Sequence, residues 1–164
     1  MTFEFAIIVP AIFTFFLMSV EFGIYAMRSM FLDRGLDATV RTIRLNTAVD
    51  YNHDQVKQMI CDNSGFLNTG QNNNCDNTMR LEMLPRDLRA YASLPSDADC
   101  IDVSQPVNPP RNFVNGVEHQ LMIMRACVKF DPVFSTSGLG AAFSKDGAGK
   151  AQMIATSAFV QEPE

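Results

Sequence analysis

The chain has 164 residues, enough for one compact domain plus an appendage and too few for two full domains. A formal net charge of −5 and the lack of any Lys/Arg run argue against nucleic acid or an anionic lipid surface as the main partner. The 47% hydrophobic and 19% charged residues look like a globular average, yet almost all the extreme hydrophobicity falls in the first 27 residues. The remainder is rich in Asn, Asp, Pro and Gly, so the chain reads as an anchor, 1–27, joined to a soluble domain, 28–164.

From Phe5 to Val20 runs FAIIVPAIFTFFLMSV, without a charge, and FGIYAM follows Glu21. A membrane span needs roughly 20 apolar residues, and Phe5 to Met27 satisfy that length if Glu21 is tolerated. A buried core helix is the competing reading, but the stretch is apolar on every face and so small a domain has no interior wide enough to surround it. A cleavable signal fits poorly, because no basic region precedes the run and no small-residue cleavage site ends the helical pattern. Beyond it, Ile24, Met27, Phe31, Leu36, Val40 and Ile43 interleave with charged residues at spacings mostly of three or four. One helix is therefore expected from about residue 2 to 46, its first half in lipid and its second presenting an apolar stripe to a folded domain.

Three residues of this helix carry chemistry. Glu4 stands in the first turn, where an acid suits the helix dipole; in a bundle of apolar helices it would need a counter-charge, which the α-amino group of a neighbouring subunit could supply. Glu21 lies roughly 25 Å further along, near the hydrocarbon thickness, and could snorkel to the opposite interface. Pro10 removes a rung of the hydrogen-bond ladder and would allow a kink or local melting.

A second, short helix is predicted over Asn52–Cys61, because Asn52 followed by Gln55 resembles a capping box and Val56, Met59 and Ile60 share a face. Residues 62–77, with Gly65, Gly70 and the Asn72–Asn74 run, read as a solvated loop. Thr78–Leu84 alternates Met79, Leu81 and Met83 with Arg80 and Glu82, a half-buried strand closed by Pro85. The proline-rich stretch 85–118 reads as a long irregular connection. His119–Phe130 is the strongest strand, with Met122, Met124, Ala126 and Val128 opposite Gln120, Arg125 and Lys129, and Met153–Val160 is a third. The expected fold is α+β, a long N-terminal hydrophobic helix packed on a small antiparallel sheet of three or four strands.

Cys61, Cys75, Cys100 and Cys127 are even in number, lie in loop-rich surroundings and lack two-residue spacing, which favours two structural disulfides in an oxidising compartment over four reduced thiols. Of three possible pairings, Cys61 with Cys75 would bracket the Asn-rich loop, and Cys100 with Cys127 would tie the proline-rich connection to the central strand. Enzyme signatures are weak. Gly138-Leu-Gly140-Ala-Ala lacks the third glycine of a dinucleotide loop, and Gly149-Lys150 is followed by Ala151 where a phosphate loop has Ser or Thr. His53 and His119 have no partner at metal spacing, and Ser135 and Ser137 lie in no nucleophile elbow. No cofactor and no metal is expected.

The opening MTFEFAIIVPAIFTFFLMSVEFGIYAMRSM resembles the TadE-like pseudopilins of the tight-adherence (Flp-type) pilus system: Glu4 followed by the aromatic Phe5, an apolar run interrupted by Pro10, then Glu21-Phe-Gly. Segments around Cys61, Cys100 and Cys127, the Gly138–Gly140 stretch and the closing Ala-Thr-Ser-Ala-Phe-Val-Gln-Glu-Pro extend the resemblance. It implies a minor pilin of a type IV-related pilus, cut from its precursor by a prepilin peptidase after a Gly, with Glu4 matching the Glu at the fifth position of the mature chain. Here that Glu is fourth and the Gly is not present, as expected of a chain that begins just inside the mature protein. Four arginines follow the span between residues 28 and 44 and none precedes it, which alone would suggest a cytoplasmic domain; the cysteines and the resemblance point instead to a periplasmic domain on the inner membrane, or to an extracellular pilus. Implied partners are other pilin or pseudopilin subunits, the inner-membrane assembly machinery and membrane lipid. The competing function is a membrane-anchored periplasmic binding domain; a thiol enzyme is a third.

Overall fold

The computed structural model describes residues 2–46, 49–65, 75–87, 89, 98–101, 112–136 and 138–163. Much of the Asn-rich stretch, including Gly70 and Asn72–Asn74, most of the proline-rich connection, and Ser137 lie outside these residues.

Helix α1 (Thr2–Leu45) is the single long helix that the pattern of charges demands. At about 1.5 Å per residue it measures roughly 66 Å, twice the depth of a small domain. It continues through Pro10, whose carbonyl accepts a bond from the Thr14 hydroxyl at 2.7 Å. Three of its C-terminal carbonyls are satisfied: Asn46 Nδ2 donates to Thr42, Gln161 Nε2 to Ile43 and the Glu162 amide to Arg44. Glu162 also pairs with Arg44 at 2.7 Å, so the chain's last residues bind the helix end.

Helix α2 (His53–Ser64) begins at a true capping box, the Asn52 side chain accepting from the Gln55 amide and the Gln55 side chain accepting from the Asn52 amide. Its face of Val56, Ile60, Cys61 and Ser64 packs on α1 at Gly35. A Cβ at Gly35 would stand 2.7 Å from the Ile60 carbonyl oxygen, so this crossing requires glycine. Disulfide Cys61–Cys75 joins α2 to the short α3 (Cys75–Thr78), which leads directly into β1 (Met79–Arg86).

β1, β2 (Leu121–Phe130) and β3 (Ala151–Val160) form one antiparallel sheet in the order β1-β2-β3, with a short helix α4 (Gly138–Ala142) between β2 and β3. The fold is the expected α+β arrangement, with three strands among the described residues. The core lies between one sheet face and the second half of α1. Leu32, Leu36, Val40 and Ile43 meet Val56 and Ile60 of α2, the sheet methionines 79, 83, 122, 124 and 153, and Phe159. The stripe read in the sequence holds at Leu36, Val40 and Ile43, with Leu32 and Thr39 joining it, while Met27 is exposed.

Two strand expectations need correction. Pro85 does not close β1 but sits inside it, opposite Met122. The Met83 amide points away from β2, to the Asn112 carbonyl at 2.8 Å, and Pro85, two residues on, has the same orientation. Its missing donor therefore costs no β1–β2 bond. Nor is the second face of β1 and β2 solvated: Arg80, Glu82, Arg125 and Lys129 are all buried. Glu82 and Arg125 are direct cross-strand partners joined as an ion pair, Arg80 pairs with Asp99 at 3.3 Å, and Lys129 with Asp146 at 3.5 Å. Disulfide Cys100–Cys127 brings the Asp99 segment to β2 on this face. β3, by contrast, alternates buried and exposed residues as a half-solvated strand should.

Candidate assembly site

The N-terminal half of α1 is apolar and uncovered. Phe3, Phe5, Ile12, Phe13, Phe15 and Phe16 are each more than half exposed, and no charge separates Glu4 from Glu21. By length and composition this helix is able to cross a membrane. Its hydroxyls suit that medium, since Thr14 donates to the Pro10 carbonyl and Ser19 to the Phe16 carbonyl, each satisfied within its own turn. An apolar surface this continuous is not left open to water by a stable monomer.

Glu4 lies on this exposed half, and among the described residues no cation stands within ion-pair distance of it. Phe5 beside it is exposed, and so is Pro10 one and a half turns further on. Glu4, Phe5 and Pro10 therefore all lie on surface that the chain itself does not cover.

Glu21 is different. It is 3% exposed, and its two carboxylate oxygens each accept a backbone N–H at 3.0 Å, from Val133 and from Phe134. The side chain is turned into the protein and not outward along the helix to an interface, as snorkelling would require. Around it the loop after β2 closes on α1. Arg28 donates to the Asp131 carbonyl at 3.2 Å and lies over the Phe130 ring, while Tyr25 packs between Phe130 and Phe143 with ring centroids 5.8 and 5.3 Å away. Gly138, at φ 57°, begins α4 where its Cα faces Met18, and Gly140 approaches the Phe134 carbonyl so closely that a Cβ would stand 2.3 Å from it. The loop after β2 therefore reaches α1 as far toward its N-terminus as Met18. The sequence held one sign of this clasp, the absence of charge from Pro132 to Ser144.

Further along α1, partial burial and the neighbouring Asp37 carboxylate raise the Asp33 carboxyl above its ordinary value. Asp37 itself accepts from the Ser157 hydroxyl of β3 at 3.2 Å. Among the described residues no group of three or more His, Cys, Asp or Glu side chains is placed to hold a metal ion. All four cysteines are paired, Cys61 with Cys75 and Cys100 with Cys127, the pairing expected from the loops they bracket.

No curated protein and no solved structure matches the chain. The family described as TadE-like protein matches residues 1–41, which is α1 almost to its end and a quarter of the chain. A TadE-like segment and a membrane-competent helix fit a membrane-anchored, pilus-associated subunit. In its N-terminal helix, the element that bears Glu4, Phe5, Pro10 and Glu21, the chain is similar to the TadE-like family.

Proposed function

We propose that the protein is a minor pilin or pseudopilin, a non-enzymatic subunit that helps assemble an adhesive pilus. Residues 1–27 hold it in the inner membrane and then pack against the equivalent helices of other subunits; residues 28–164 form the periplasmic, later extracellular, domain. Glu4 pairs with the α-amino group of a neighbour once both are withdrawn from water. Helix packing and this charge pair are the whole mechanism, with Phe5 and the Pro10 turn shaping the contact. A prepilin peptidase acts on the precursor, and the membrane assembly machinery moves the mature subunit.

The observation that carries this reading is the uncovered apolar half of α1 with one acid at its outer end. Buried core helices have no such surface, and a plain membrane anchor has no use for Glu4 where a partner's amine would neutralise it. Immunogold labelling of isolated pili and fractionation of the cell envelope test the proposal together. Label on filaments, or recovery with the inner-membrane assembly complex, is the expected result. Recovery away from both, with normal piliation when the protein is deleted, would refute it.

A further inference from the structure

We infer that residues 132–136 and 138–143 form a membrane foot, immersed in the lipid interface beside α1, and that Glu21 is the clasp that holds it there. The inference rests on the membrane-anchored reading and adds a second element of the chain to the bilayer contact.

Depth along α1 is the first argument. If the helix spans the bilayer, the charge-free run up to Val20 lies in hydrocarbon, because nothing else in the chain is long and apolar enough among the described residues. Met18 is three residues on the membrane side of Glu21, about 4.5 Å, and Thr14 is seven, about 10 Å. Met18 touches Gly138, and Thr14, Leu17 and Met18 line one wall of a cleft of about 170 Å³ whose other wall is Phe134, Gly138 and Leu139. Those loop residues stand at the same depth as the helix residues they face. A domain seated on this helix cannot keep its loop 132–143 in water while Met18 is in lipid.

Composition is the second. From Pro132 to Ser144 the chain is PVFSTSGLGAAFS, without a charge, between Asp131 and Lys145. Val133, Ala141 and Ala142 turn outward, Val133 being 50% exposed.

Glu21 is the third. A carboxylate inside a span is costly unless it is hydrogen-bonded, and the amides of Val133 and Phe134 are donors that the interface would otherwise leave poorly satisfied. The two liabilities cancel. The foot thereby lets the apolar segment continue past Glu21 to Met27.

The chain contains no tryptophan, so single-Trp variants report local depth. Full-length V133W and A141W are reconstituted in phosphatidylcholine–phosphatidylglycerol vesicles containing lipids brominated near the headgroup or deep in the acyl chain. F13W serves as the marker of the span, and V117W as the marker of the far end of the domain, roughly 30 Å beyond Glu21. Intact disulfides by peptide mapping show that each variant is folded. The expected result is blue-shifted emission and strong quenching by shallow bromine for V133W and A141W, quenching by deep bromine for F13W, and quenching by aqueous acrylamide alone for V117W. If F13W is quenched by bromolipid while V133W and A141W respond only to acrylamide, the anchor stands and the foot is overturned. V133W and A141W shielded from both quenchers would place a second protein chain on this surface and also overturn it. If F13W is itself insensitive to bromolipid, the membrane reading fails and the foot fails with it.

Discussion

Replacing Glu21 by Ala should loosen the whole membrane-proximal end of the domain. The carboxylate is nearly inaccessible and accepts two backbone bonds of 3.0 Å. A hydrogen bond to a charged group contributes about 1.5–3 kcal/mol, and the side chain regains hydration in the unfolded chain, so a net loss of roughly 2–4 kcal/mol is expected. For a chain of this size that corresponds to a drop in Tm of roughly 4–16 °C. Gln keeps one carbonyl oxygen but turns an amide toward the second N–H, and should fall between wild type and Ala. Hydrogen exchange on the full chain in detergent micelles locates the effect: the Val133 and Phe134 amides should exchange faster in E21A, while amides at the β1–β2 pairing change only with global stability. Unchanged protection at Val133 and Phe134, with an unchanged Tm, would show that the clasp is not formed in solution.

Truncation follows from the same contacts. A chain starting at residue 21 keeps Glu21 and Tyr25 and should be soluble and folded; one starting at residue 28 loses both, with the packing of Tyr25 on Phe130 and Phe143, and should melt at a lower temperature by circular dichroism. Equal melting temperatures would show that residues 21–27 add nothing to the domain's stability. Gly35→Ala should cost about 1–3 kcal/mol in denaturant titration, because its Cβ would meet the Ile60 carbonyl at 2.7 Å and Ser64 Cβ at 2.9 Å, and neither backbone nor a short side chain can yield cheaply. A neutral substitution there would mean that α2 is free to shift.

Local chemistry made much of this fold readable. The long helix follows from a charge-free run passing into three- and four-residue spacing, and α2 from a capping box that the structure forms as written. The disulfide pairing was legible because each pair closes one irregular stretch, and the strands because their apolar residues alternate. What alternation could not reveal is the second face of β1 and β2. Arg80, Glu82, Arg125 and Lys129 read as solvent-facing, yet they neutralise one another and Asp99 and Asp146 beneath the segment tied down at Cys100. Pro85 misled for a related reason: its effect depends on which edge its nitrogen faces, and that is set by the register of β1 against β2, a strand far away in sequence. Glu21 was legible as an unusual charge but not as a clasp, since its partners lie 112 and 113 residues away and donate through backbone groups that every sequence possesses. Glu4 is exposed on the uncovered half of α1, and its assembly role rests on the proposal made for that surface.

On the proposed function, Glu4 acts between subunits and not within one. Glu4 lies seventeen residues before the clasp at Glu21, about 25 Å along the helix, too far to touch the domain. The decisive measurement is pilus assembly by cells carrying Glu4→Gln, which keeps shape and hydrogen bonding and removes the charge, alongside the Tm and disulfide map of the purified variant. Wild-type stability and pairing are expected together with a severe loss of incorporation or piliation, since leaving a partner's amine unpaired in an apolar bundle costs about 3 kcal/mol or more. Normal assembly by the Gln variant would contradict it and leave Glu4 as a first-turn acid on a membrane anchor.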